Sequence, residues 1–262
     1  MPIADCRLPI ADCRADLRSH TRTAAVVPIK LNNQRLPNKN IKPFTNGKPL
    51  CHYLLSTLLE VGGIDEVYVY CSRPEIQEYI PAGVKFLQRP ESLDSSATRG
   101  NDLLKSFTER VSADIYVMAH ITSPFVSRGS IEKGLEAVKS GEYDSAFAAK
   151  RFQDFLWQDN APLNYKLDDI PRTQDLPLMF QELTGFYICR RNVIADLNRR
   201  IGDHPFIVET GEIESIDIDE PEDFTIADAV FNHVMLRNSR GGGLGSYTLD
   251  PITCPFGMEE AA

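Results

Sequence analysis

The chain has 262 residues, a formal net charge of −9 at neutral pH, 42% hydrophobic residues and 25% charged residues. Length and composition fit one α/β domain of about 210 residues with tails, large enough to bury a full core. The acidic balance argues against nucleic acid as a partner, because phosphate backbones select basic faces; a nucleoside triphosphate, which needs only a local cluster of cations and a metal, stays open.

The six cysteines (Cys6, Cys13, Cys51, Cys71, Cys189 and Cys254) include no CxxC pair, and no histidines flank them at zinc-ligand intervals. Reduced, mostly buried thiols are expected. No apolar run approaches the roughly 20 residues that span a bilayer, and the amino terminus lacks the apolar segment of a signal peptide, so a soluble, cytoplasmic protein without membrane contact is expected.

In chain order, the hexapeptide Pro-Ile-Ala-Asp-Cys-Arg occurs at residues 2–7 and again at 9–14. Two copies at a seven-residue period do not make a solenoid, and residues 1–22 read as a tail. The domain spans 23–237 and opens on a continuous apolar run, Ala24 to Ile29, typical of a strand buried on both faces. A polar loop, 30–40, follows. Spacing then predicts a helix over 49–61, a strand over 66–71, a short helix over 75–80 and a strand over 84–87. A helix over 98–111, a strand over 115–119 and a helix over 130–139 come next. This alternation indicates βαβ units and a mainly parallel sheet. Residues 144–183 break the rhythm with a strand at 145–150, the aromatics Phe152, Phe155 and Trp157, and a long Pro/Asn/Asp-rich loop. An irregular insert of that length is usually functional or an interface. The sheet resumes at 185–189, and after three glycines the stretch 238–262 reads as a second tail.

Two segments can carry chemistry. The loop Lys30-Leu31-Asn32-Asn33-Gln34-Arg35-Leu36-Pro37-Asn38-Lys39-Asn40 leaves the first strand at its carboxyl end, where open α/β sheets bind ligands. Its three cations and several amides suit a triphosphate, although a solvated polar loop has the same composition; the GxxxxGK[ST] spacing of a P-loop is absent. The second segment is Ser215-Ile216-Asp217-Ile218-Asp219-Glu220-Pro221-Glu222-Asp223. Read as a strand, it places Ile216 and Ile218 on the core face and the two aspartates on the other, about 7 Å apart. Carboxylates so placed repel unless a cation such as magnesium bridges them. Asp219 can alternatively cap the helix that Pro221 opens, but capping leaves Asp217 unexplained.

These segments, in this order, resemble the CMP-sugar-acid synthetases, typified by CMP-N-acetylneuraminate synthetase, from about Ala24 to about Val234. That family opens with an A-R-x-x-S-K-x-x-P-x-K-N loop. Here Lys30 stands at its arginine, Asn33 at its serine and Gln34 at its first lysine, with Arg35 one position on; Pro37, Lys39 and Asn40 match. Arg89-Pro90-Glu91-Ser92-Leu93 is similar to its R-P-x-x-L segment, which helps hold the cytosine. Thr122-Ser123-Pro124 matches its T-S-P turn, with His120 in place of the usual glutamine beside the acceptor. Pro171, Arg172 and Gln174 resemble its P-R-x-Q run, and residues 215–219 match its S-I-D-I-D. Where sialate enzymes carry R-P-N-G, this chain has Gln181-Glu182-Leu183-Thr184-Gly185, and Glu182 there would repel a substrate carboxylate. His52, His204 and His233 belong to no motif.

The resemblance implies a Rossmann-like three-layer α/β sandwich with a dimerisation insert, forming a homodimer, and a cytidylyltransferase. CMP would pass from CTP to an acidic acceptor, most simply a 2-keto sugar acid, with release of pyrophosphate. Lys30, Asn33, Arg35, Lys39, Asn40 and Arg89 would hold CTP. Asp217 and Asp219 would hold Mg2+, with Lys30 and Lys39 completing the catalytic group. His120, Thr122, Ser123, Arg172 and Gln174 would face the acceptor. A small phosphonate is the alternative acceptor. A nucleotide-sugar glycosyltransferase also uses an Asp-x-Asp metal site, but its pair usually lies mid-chain and it lacks the early cationic loop. A catalytically dead CTP-binding module is the third reading, and retention of both aspartates argues against it.

Overall fold

Ala24, Ala25, Val26 and Val27 have no exposed surface, which follows from the position of β1 (Thr23–Pro28) in the middle of a sheet. In the computed structural model, which describes residues 21–32 and 35–235, β1 pairs in parallel with β2 (Glu66–Cys71) and with β4 (Ile115–Ala119). β3 (Lys85–Gln88) adds to β2, again in parallel. On the other side β8 (Met179–Arg190) runs antiparallel to both β4 and β5 (Ser145–Phe152), and β9 (Pro205–Glu209) closes the edge parallel to β5. The order is β3-β2-β1-β4-β8-β5-β9, a mainly parallel sheet with one reversed strand. The expected tails (save Thr21 and Arg22) and Asn33 lie outside the described residues.

Helices cover both faces, giving three layers. α1 (Leu50–Glu60) and α3 (Arg128–Ser140) pack Leu54, Leu58, Ile131 and Leu135 against Ala25 and Val27. The opposite face takes Leu104 and Phe107 of α2 (Gly100–Thr108) and Val193 and Ile194 of α4 (Arg191–Leu197) against Ala24 and Val26. Successive β1 side chains therefore feed two separate cores, as the period of a strand requires. Ser127 caps α3 by accepting from the Ser130 N–H at 3.1 Å. No helix among the described residues is long and apolar enough to cross a membrane.

The expected bounds of β2 and β4 hold. The short helix expected over 75–80 is a 3-10 turn, Pro74–Glu78. Within 144–183, β5 runs on to Phe152 and β8 begins at Met179, so the strands there are longer than expected. Between them lie a small hairpin, β6 (Trp157–Gln158) with β7 (Ala161–Pro162), and a 3-10 turn, Thr173–Asp175.

One expectation is overturned. Residues 215–219 are not a strand; β9 takes the sheet edge instead. The Ser215 and Ile216 N–H groups turn back to the carbonyls of Gly211 and Ile213, and the Ile218 N–H reaches the Thr122 carbonyl at 2.8 Å. Alternation here serves a different purpose. Ile218 is fully buried in a third core with Leu36, Phe44, Leu50, Phe125, Phe224 and Phe231, beneath α5 (Pro221–Val230) and its terminal π turn, Phe231–Met235. Burying that one side chain contributes about 2 kcal/mol, enough to pin the segment that carries both aspartates.

Candidate active site

The carboxyl ends of β1 and β4 are neighbours, and the loops leaving them enclose a cavity of about 180 Å³. Lys30, Lys39, Asn40, Arg89, His120 and Thr122 all line it, together with Leu93, Ser95 and Thr98. Six positions expected from the sequence thus meet in one place. Asn40 Nδ2 donates to the Lys30 carbonyl and fixes the two ends of the loop to each other, while Lys30 Nζ reaches the Ser95 carbonyl at 3.3 Å.

Arg89 follows β3 and is only 2% exposed. Its Nη2 donates to Asp94 Oδ1 at 2.5 Å, and Ser72 Oγ donates to the other oxygen at 2.6 Å. Burial alone would raise the Asp94 carboxyl, but the Ser72 hydroxyl and the Arg89 guanidinium together hold it below the usual carboxylate range. Asp94 lies just past the R-P-x-x-L run and was not expected as a site residue; its place directly after that run was the available signal.

Buried polar atoms in native proteins are nearly always paired. Among the described residues four buried side-chain atoms lack a partner, and three of them, Asn40 Oδ1, Arg89 Nε and His120 Nε2, belong to residues lining this cavity. Three of the four thus surround one cavity.

The acidic segment adjoins it. Asp217 accepts from Thr184 Oγ1 at 3.0 Å and Ser123 Oγ at 3.4 Å. Asp219 faces the buried Lys39 Nζ at 3.2 Å and Arg35 Nη1 at 3.4 Å; Arg35 also reaches Glu220 at 3.1 Å, and Lys39 donates to the Ile218 carbonyl at 2.6 Å. Asp219 is not the helix cap. Glu220 holds that position, and Asp223 accepts from the backbone N–H of both Glu220 and Asp219, bonds that hold its carboxyl below the usual range. A Cβ on Gly185 would lie 2.9 Å from Val126 and 3.7 Å from Ser123; glycine there lets β8 pass close to the Thr122–Ser123 turn and bring Thr184 to Asp217.

Among the described residues no group of three or more His, Cys, Asp or Glu side chains is gathered to hold a metal. Two carboxylates on either side of buried Ile218 nevertheless suit magnesium, a hard cation that retains water and completes its shell with substrate phosphates. Arg172 and Gln174, by contrast, are exposed in the insert and do not line the cavity; Arg172 is engaged by Asp175 at 2.7 and 3.0 Å.

His120 ends β4, its N–H donating to the Gly185 carbonyl at 3.2 Å and its ring edge-on to Tyr187 with centroids 6.4 Å apart. Burial, reinforced by the charge of Arg200 and opposed by Asp217, pushes its imidazole down from 6.5 to about 4. It is neutral at neutral pH. Since the unfolded chain takes up this proton near pH 6.5 and the native state only near pH 4, stability falls on acidification across that window, by about 2–3 kcal/mol for this group. Denaturant unfolding at pH 7 and pH 4.5 should show His120→Gln losing less stability than the parent. Equal losses would contradict a buried neutral ring.

A doubly wound sheet with a cationic loop at the carboxyl edge of its first strand and paired aspartates beside it defines an open α/β domain with polar loops at its carboxyl edge. The sequence profile of the cytidylyltransferase family matches residues 24–225. The chain belongs to that family. It is 27% identical over 127 residues to 3-deoxy-manno-octulosonate cytidylyltransferase 2 of Hydrogenovibrio crunogenus, covering 48% of this chain and 50% of the relative. It is 26% identical over 120 residues to the 3-deoxy-manno-octulosonate cytidylyltransferase of Escherichia coli, covering 45% and 47%. The chain thus spans about half the length of these curated relatives. Its fold is similar to that of a CMP:2-keto-3-deoxy-manno-octonic acid synthetase solved with CTP, with a TM-score of 0.64, 20% identity, and coverage of 81% of this chain and 99% of that one. It is also similar to the 4-diphosphocytidyl-2C-methyl-D-erythritol synthase of Anaerococcus prevotii, with a TM-score of 0.60, 13% identity, and coverage of 82% and 97%.

Proposed function

We propose that this protein transfers CMP from CTP to a 2-keto sugar acid and releases pyrophosphate. The observation that carries the reading is the set of partnerless polar atoms on Asn40, Arg89 and His120 around one cavity, in a chain of the cytidylyltransferase family whose curated relatives are named for an octulosonate. An acceptor hydroxyl attacks the α-phosphorus of CTP in line with the departing pyrophosphate. Lys30, Lys39 and Arg35 neutralise the triphosphate, and Arg89 with its neighbours orients the base. Transfer of this kind rests on positioning and charge neutralisation rather than on a covalent intermediate. Asp217 and Asp219 would hold magnesium, whose contribution is charge stabilisation at the reacting phosphate. Thr122 and His120 line the acceptor end, and Ser123 orients Asp217.

A pyrophosphate-release assay with CTP, magnesium and a panel of keto sugar acids and phosphonates tests this. Release that requires both CTP and a keto acid is expected. Release with phosphonates alone would move the acceptor to the other class.

The working unit in this proposal is a homodimer built on the insert. Phe155, Trp157, Leu163, Leu167, Ile170, Leu178 and Phe180 are all exposed between residues 155 and 180, and Phe155 and Trp157 each stack edge-on against Tyr165 within the insert. So many exposed apolar side chains within 26 residues suit an interface, which aromatics of this kind anchor. Light scattering at micromolar concentration should report a dimer that Phe155→Ala with Trp157→Ala shifts towards monomer. A fully active monomer of the unaltered protein would contradict the assignment.

A further inference from the structure

A transferase that joins two anions has to hold them apart before it joins them. Lys30, Arg35 and Lys39 follow β1, the side to which the proposed function assigns the triphosphate, and Lys39 and Arg35 face Asp219 there. The sheet order then runs β1, β4, β8 across the same edge. His120 sits at the end of β4. Beyond it, β8 is antiparallel: Phe186 pairs with Ala119, so residues 179–185 overhang the carboxyl end of β4. An acceptor placed in line with the triphosphate meets this overhang.

One cation waits there. Arg200, in the turn after α4, lies with its guanidinium carbon 3.9 Å from the centre of the Tyr187 ring, and Tyr187 is edge-on to His120 of the cavity wall. Arg200 Nη2 donates to Glu182 Oε1 at 3.1 Å, and Tyr187 Oη donates to the same oxygen at 2.7 Å. The first residue of α2, two positions past Thr98 of the cavity wall, is Gly100. A Cβ there would lie 2.7 Å from Arg200 Nη1, so the guanidinium packs directly against the start of α2.

We propose that Arg200 binds the carboxylate of the acceptor, and that Glu182 occupies that carboxylate's place until the acceptor displaces it. The inference rests on the acidic-acceptor reading above. Its logic is chemical mimicry. Arg200 and the Tyr187 hydroxyl converge on one carboxylate oxygen of Glu182, and a planar guanidinium with a hydroxyl beside it suits any carboxylate equally. Arg172 is engaged elsewhere. Glu182 is half-exposed on the overhang, where its side chain can swing away without disturbing the core. The repulsion expected from Glu182 is thereby answered, since the chain carries its own counter-ion to that charge.

The bland alternative is a surface ion pair of little consequence, and kinetics separate the two. With the full-length protein, CTP, magnesium and a panel of 2-keto sugar acids including 3-deoxy-manno-octulosonate, Arg200→Ala should raise the acceptor KM roughly tenfold or more while leaving the CTP KM within about twofold. Arg200→Lys should recover part of the loss. Glu182→Gln, which weakens the competitor, should lower the acceptor KM. If Arg200→Ala fails to fold, the lysine and glutamine variants carry the same opposed signature. An unaltered enzyme active on a keto acid, with acceptor KM unmoved in these variants or moving together with the CTP KM, overturns this inference alone. Pyrophosphate release only with a neutral acceptor overturns the acidic-acceptor reading and this inference with it.

Discussion

Alanine at Asp217 or at Asp219 is expected to reduce CMP transfer at least roughly a hundredfold while leaving the domain folded. The segment's position comes from Ile218, buried beneath α5, and from the Ile218 N–H bonded to Thr122, neither of which depends on the carboxylates. Asp217 gives up only hydroxyl partners, so Asp217→Ala costs stability little; Asp219 is half exposed, but without it the buried Lys39 keeps only the Ile218 carbonyl, so Asp219→Ala costs some stability without unfolding the domain. Transfer suffers far more, because removing one hard oxygen ligand forfeits several kcal/mol of charge stabilisation, and each 1.4 kcal/mol is a factor of ten. Asparagine at Asp217 keeps an acceptor for Ser123 and Thr184 but drops the charge, and should be nearly as impaired. Steady-state pyrophosphate release with thermal melts run alongside checks this. Near-normal turnover in both alanine variants would falsify the assignment of the acidic pair.

Arg89→Met should have the second large effect, and on stability as well as on nucleotide choice. The guanidinium is almost wholly buried and paired with Asp94, and breaking such a pair from one side leaves a carboxylate short of its counter-ion, at a cost of about 3 kcal/mol. Urea denaturation reads that loss. Asp94→Asn should cost a comparable amount, because it strips the buried guanidinium of its counter-ion even though Ser72 can still donate to the amide oxygen. In binding, the parent should prefer CTP to UTP, since a site built to read one base edge leaves groups unpaired with the other. The variant should lose that preference. Equal affinity of the parent for CTP, UTP and ATP by calorimetry would remove Arg89 from base recognition.

What could be read from the sequence follows a physical division. β1, β2 and β4 are buried on both faces and write themselves as apolar runs, so their positions were legible. The first half of β8 was not, because it runs past the end of β4 and pairs there with β5 alone, and Gln181, Glu182 and Thr184 carry the polarity of a loop. Residues 215–219 alternate like a strand because Ile218 needs one buried side, and the sequence does not say that the burial partner is a helix core rather than a second strand. The cationic loop, Arg89, His120 and the aspartates could be found because each sits in a local motif. Arg200 could not: the role proposed for it depends on Tyr187 and Glu182, on the strand before α4, and on Gly100, a hundred positions earlier, which only folding brings beside it.

The most direct test of the central claim is phosphorus NMR of the unaltered protein with CTP, magnesium and 3-deoxy-manno-octulosonate. Transfer of CMP predicts loss of the three CTP resonances, one phosphodiester signal for each CTP consumed, and an equal amount of pyrophosphate, none of it formed when the sugar acid is left out. CTP that stays intact with every keto sugar acid offered, or pyrophosphate that appears without a new phosphodiester, would contradict it.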